Sequence, residues 1–246
     1  MTIALENAPG AVSSRSSRLV NAVRLQFVNP QTFIWIPLIV LAGSWALTMV
    51  IHAIVAGGGV EGRIFGGGSQ APLWYFGVVG IQAMTLTLYF SQAMTLTRRE
   101  FFLGALIAAA MSALGIALIF VLLGLIEQAT NGYGLDGYFA YLPWLWESGP
   151  FAAGLTYFVL TMLAFILGFW FAIVFKRFGT LVLTLILFAL GFAFLGLIAL
   201  ITVNRAWPQV WAWFAQAGSV EITLWTALCG IVFALGSYLT MRRMPI

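Results

Sequence analysis

Six long apolar runs separated by short polar breaks organise the chain: residues 33–54, 73–94, 101–126, 151–175, 180–203 and 222–241. Each is close to the ~20 residues that an α-helix needs to cross ~30 Å of hydrocarbon. The pattern predicts an all-α membrane protein with six transmembrane helices. Ahead of the first run, residues 1–17 are small and polar and read as a flexible cytoplasmic tail. They are not a signal peptide, because no apolar core of about 7–15 residues precedes Phe33. Residues 18–29 fit a short amphipathic helix lying at the membrane interface. At about 100° per residue, Leu19, Val20, Val23 and Phe27 share one side and Arg18 and Asn21 lie opposite, with Leu25 and Val28 interrupting the polar face. Asn29-Pro30 is expected to end it.

The most informative break runs from Ser91 to Gly104, between the second and third apolar runs. Thr97 followed by Glu100 has capping-box spacing, so a helix is expected to begin at Thr97 after the previous one ends near Met94. Arg98 and Arg99 sit inside that box. In hydrocarbon each would cost roughly 2.5–3.5 kcal/mol, which places this turn in water or headgroups.

The distribution of charge orients the helices. Arg15, Arg18, Arg24, Arg98, Arg99, Lys176, Arg177, Arg242 and Arg243 fall on one side, nine of the eleven basic residues; Arg63 and Arg205 fall on the other. The excess of lysine and arginine marks the cytoplasmic side and puts both termini there. Glu61, Glu127, Asp136, Glu147 and Glu221 fall on the outer side. The outer segments are aromatic, with Trp74, Trp144, Trp146, Trp207, Trp211, Trp213 and Trp225 at or near an interfacial belt. Residues 207–214 are denser in aromatics than a belt requires and read either as a short helix dipping into the outer leaflet or as a surface loop. In the third run, Ala105, Ala109, Ala113 and Ala117, flanked by Gly104, Ala108 and Ser112, let helix backbones approach closely and place that helix at the centre of the bundle.

Composition narrows the function. Of 246 residues, 62% are hydrophobic and 7% charged, against about 25% charged in a soluble domain. The net charge of +4 is spread over loops, which gives no support to nucleic-acid binding. A single cysteine, Cys229, excludes an intrachain disulfide. A single histidine, His52, excludes a multi-histidine metal site and a Ser-His pairing beyond itself. His52 reads as a helix-end side chain satisfied by water or a neighbour's carbonyl. No run carries a charge near its middle, which weighs against an ion-coupled carrier. Lys176, the only lysine, is not preceded by glycine, so the chain has no P-loop.

Six apolar runs with both ends inside, and Leu96, Thr97, Arg98, Arg99, Glu100, Phe101, Phe102 and Gly104 opening the third, resemble a type-2 ABC transporter permease. Thr95 departs from the family pattern, which often has glycine there. The resemblance implies that Leu96, Thr97, Arg98, Arg99, Glu100, Phe101 and Phe102 form a coupling helix docked on a separate P-loop ATPase subunit, with Arg98 and Arg99 facing partner carboxylates and Phe101 or Phe102 anchored in an apolar groove. It implies a multi-pass subunit of a bacterial plasma membrane without catalytic, cofactor or metal residues of its own. ATP and Mg would be bound by the partner, and a second permease chain would complete a dimer. The expected function is ATP-driven export of a drug, lipid or peptide. The alternative is a non-transporting scaffold or anchor subunit, which accounts equally well for the uncharged helices.

Overall fold

Where each helix starts and stops follows from local chemistry. In the computed structural model, residues 15–28, 30–59, 62–88, 90 and 96–242 are described. They form α1 (Arg15–Gln26), α2 (Ile36–Gly57), α3 (Gln70–Thr85), α4 (Arg98–Ala129), a short α5 (Pro143–Trp146), α6 (Pro150–Val203), α7 (Trp207–Gln216) and α8 (Ser219–Arg242). Pro30 and Pro37 bracket a π-helical turn at Gln31–Trp35, where the Ile36 amide bonds to the Gln31 carbonyl. Pro37 has no amide to offer Phe33, and the wider turn absorbs that loss. Gly179, at φ 81° and ψ 179°, interrupts α6. Only glycine adopts that conformation readily, so the break falls between the fourth and fifth expected runs.

The protein is an all-α, membrane-associated chain by composition. Among the described residues, four stretches are long and apolar enough to cross a membrane: Gln31–Gly57, α4, α6 and α8. In the second expected run, α3 has 16 residues and the chain turns at Leu86. Helical structure resumes after Leu86 at residues 87, 88 and 90, and the run's expected end near Met94 lies outside the described residues. The tail up to residue 14, the segment 91–95 with Met94, and Arg243 lie outside the described residues. Helix α1 begins at Arg15, so it already includes residues 15–17, which were expected to belong to the tail.

The core sits where α3, α4 and residues 150–178 of α6 meet. The small-residue comb of α4 is buried as expected, at Gly104, Ala105, Ala108, Ala109, Ala113 and Ala117. The closest crossing is elsewhere. A Cβ on Gly168 would collide with the carbonyl of Gly77, and one on Gly80 with the carbonyl of Phe165. Here α3 and α6 touch backbone to backbone, which only glycine permits. Around that crossing pack Phe33, Phe76, Phe101, Phe165 and Phe169. Residues 180–203, by contrast, are exposed almost throughout.

Helix α1 packs differently from its sequence pattern. Ala22, Leu25 and Gln26 are its buried residues, whereas Val20 is 46% exposed. A Cβ on Gly104 would stand 2.6 Å from the Ala22 Cβ, so α1 lies directly on α4. Gln26 and Thr87 exchange side-chain hydrogen bonds of 3.1 and 3.3 Å. Leu25, an apparent flaw in the polar face, is therefore a contact residue. The periodicity of one helix does not specify which neighbour it will meet.

At the opposite end the connecting segments fold over the helices. Two-residue strands β1 (Ile64–Phe65) and β2 (Gly137–Tyr138) pair in parallel, Ile64 with Gly137 and Phe65 with Tyr138. Residues 131–134 all have positive φ, a left-handed turn entered through Asn131. It presents the Tyr133 hydroxyl to Trp45 Nε1 at 3.3 Å. Burial raises the Tyr133 phenol above its ordinary pKa, which keeps it neutral. Glu127 is fully buried here. Its carboxylate accepts from the Ala140 amide at 2.9 Å and the Tyr141 amide at 2.7 Å. The Ala140 carbonyl accepts in turn from the Tyr157 hydroxyl at 2.6 Å and Trp146 Nε1 at 3.2 Å. Trp146 fills the space left by the absent side chain of Gly124 and is buried. It belongs to the core, not to the expected belt, whereas Trp74, Trp144, Trp211 and Trp225 are exposed. Residues 207–214 are helical, within α7.

Candidate functional site

The site begins with the N-terminus of α4. Thr97, in extended conformation, caps it: the Thr97 hydroxyl accepts from the Glu100 amide at 3.2 Å, and Glu100 Oε2 accepts from the Thr97 amide at 2.9 Å. The capping box is complete. It fixes the phase of α4, and that phase decides where the neighbouring side chains go. At about 100° per residue, Arg98 and Phe102 lie within about one residue's rotation of Phe101, while Arg99 points nearly opposite.

Phe101 and Phe102 are buried at 1% and 6% exposure. Phe102 lies 5.8 Å from Phe169 and 5.5 Å from Tyr238, ring to ring. Neither is available to anchor in a partner's groove, which corrects the expectation drawn from the resemblance. The apolar demand of this chain's own core takes both rings.

Arg98 differs from expectation as well. Its Nη1 donates to the carbonyls of Met241 at 2.9 Å and Arg242 at 3.3 Å, at the C-terminus of α8. The last carbonyls of a helix lack intrahelical donors and carry the negative end of its dipole, so a guanidinium there is well placed. The same solution recurs at this end of the protein. Arg177 Nη1 donates to the Thr240 carbonyl at 3.1 Å. Lys176 Nζ donates to the carbonyls of Met84 at 3.3 Å and Thr85 at 3.1 Å, closing the end of α3. Three cations read from sequence as orientation signals thus cap helices that end among them. Basic residues bordering the expected ends of two apolar runs are the sequence signal for such caps, although it does not say which helix each would serve.

Of the remaining turn residues, Thr97 and Arg99 are exposed, and Leu96 and Glu100 are half-buried. Residues 26, 84–87, 98, 176–177 and 240–242 are brought to one end of the bundle by these bonds. His52 lies at the other end, buried between Gly66 and Gly137. Neither ring nitrogen has a hydrogen-bond partner among the described residues, so the neighbouring carbonyl expected for it is not within reach. Among the described residues there is also no group of three or more metal-ligating side chains.

What this arrangement can do is mechanical. The start of α4 and the end of α8 are held by charge-assisted hydrogen bonds, each worth about 1.5–3 kcal/mol. The residue after the Thr97 cap is thus bonded directly to the end of α8. No protein-family model, curated protein or solved structure matches this chain.

Proposed function

We propose that this chain is the membrane-spanning permease subunit of an ATP-driven type-2 ABC exporter, with six transmembrane helices and both termini cytoplasmic. In that reading the break at Gly179 separates the fourth and fifth spans, and α3 with the residues after it forms the second. The observation that carries it is the bond from Arg98 to the end of α8. A capped turn between two apolar helices, tied to a third, suits the transfer of an ATPase's stroke to the membrane half. The partner meets the turn that ends at Thr97. Arg98 acts behind that contact as a positioning residue. A second permease chain completes the translocation path, and ATP and Mg reside on the ATPase.

The test is recovery of the tagged chain from its native membrane in mild detergent, with identification of what accompanies it. A stoichiometric P-loop ATPase is expected. Recovery of the intact chain with no ATPase in several detergents overturns the reading. Arg98→Gln is expected to keep the ATPase bound while ATP-dependent export falls about tenfold or more, because a bond of ~1.5–3 kcal/mol to the α8 carbonyls is lost. Unchanged export in a correctly inserted Arg98→Gln chain removes Arg98 from the transmission path.

A further inference from the structure

The exposed Arg99 does not stand alone. Arg99, Leu103 and Leu106 follow one another at i, i+4 and i+7 along one face of α4. Ile231, Leu235, Tyr238 and Arg242 do the same at i, i+4, i+7 and i+11 along α8. Helical geometry stacks each set into a stripe, and the two stripes face each other across a groove of about 350 Å³. Its wall is apolar apart from Arg99 at the basic end and the Tyr238 hydroxyl. Ile231 and Leu235 are 57% and 59% exposed along its length. Arg242 is exposed one turn beyond Tyr238, beside the carbonyls that hold Arg98.

We infer that this groove binds one anionic phospholipid, its acyl chain against Leu103, Leu106, Ile231 and Leu235 and its phosphate between Arg99 and Arg242. Charge complementarity selects the occupant. The carboxylate next to Arg99 in sequence, Glu100, accepts from the Thr97 amide, and the guanidinium of Arg98 is turned to the α8 carbonyls. Arg99 lines the apolar groove and Arg242 follows one turn beyond Tyr238, so two exposed cations stand toward the same end of it. Basic pockets between helices at the membrane surface recognise phosphate headgroups in this way, and the volume falls within the ~300–1,000 Å³ of ligand sites. A larger groove of about 540 Å³, bordered by Phe33, Met111 and Ile116, has no charge among its lining residues. It supplies an internal comparison that does not discriminate headgroups. The inference does not depend on an ATPase partner, and it assigns Arg99 to the bilayer.

The test is lipid retention by the purified full chain, followed by native mass spectrometry after exchange into detergent doped with phosphatidylglycerol or phosphatidylcholine of identical acyl chains. One phosphatidylglycerol is expected to remain bound in preference to phosphatidylcholine. Arg99→Gln and Arg242→Gln each weaken that preference about fivefold, at ~1 kcal/mol per arginine near the surface. Arg63→Gln, at the opposite end, leaves it unchanged. Leu235→Trp, at an exposed position that tolerates a large side chain, blocks the groove and removes the retained anionic lipid. Equal retention of the two lipids by the unmodified chain overturns the inference, as does an unaltered preference in the double arginine variant.

Discussion

Gly168→Ala is expected to destabilise the protein by about 3 kcal/mol, the upper end of the cost of over-packing a core, and Gly168→Leu to prevent assembly of the folded bundle. The added Cβ meets the backbone carbonyl of Gly77. A carbonyl cannot rotate aside as a side chain can, so the two helices must separate and the contacts beside them open. Phe165 and Phe169, buried on the same helix face, lose their packing together with the glycines. The loss should appear as a lower thermal transition in detergent, read by the fraction surviving gel filtration after heating. Gly191→Ala is the matched comparison. That position also lies in α6 but has open space around it, so alanine there gains up to ~1 kcal/mol of helix propensity. Equal transitions for the two variants would show that the α3–α6 crossing is looser than described.

Glu127→Ala carries the second large effect, about 3–5 kcal/mol. The carboxylate is fully buried and accepts from two backbone amides, Ala140 and Tyr141. Each amide left without an acceptor costs about 1–3 kcal/mol. The side chain also anchors the segment whose Ala140 carbonyl receives Tyr157 and Trp146. Removing it releases the cap that covers His52. Hydrogen exchange at the Ala140 and Tyr141 amides is expected to accelerate roughly 100-fold, with exchange at the buried face of α4 near Ala108 little changed. Glu127→Gln, which keeps an acceptor oxygen, should fall between. If Ala140 and Tyr141 exchange no faster in Glu127→Ala, the carboxylate is not what holds that segment.

These two positions illustrate what a linear reading can and cannot reach. Gly168 is one of 26 glycines, and nothing around it in the chain distinguishes it from Gly191. Glu127 reads as one more acidic residue near an outer helix end. In three dimensions it bonds to residues 13 and 14 positions further on, across a left-handed turn whose Tyr133 is not a residue that favours such a backbone. The coupling turn divides in the same way. Its capping box was legible because both partners lie within four residues. The guanidinium of Arg98 finds its acceptors 143 and 144 residues away, where no local pattern points.

Local chemistry by itself determined which stretches are helical and apolar, where α4 begins and that one apolar run gives way to the next between residues 175 and 180. Each of these depends on neighbours within a few residues or on the summed cost of placing side chains in hydrocarbon. Tertiary structure alone decided which glycines meet a backbone, which of Arg98 and Arg99 turns inward, why Phe101 and Phe102 are consumed by the core, and that the connecting segments pair as strands over His52. Those outcomes depend on the relative position of helices distant in sequence. Close packing is short-ranged in space, and a residue's partner is set by the whole bundle rather than by the residues beside it in the chain.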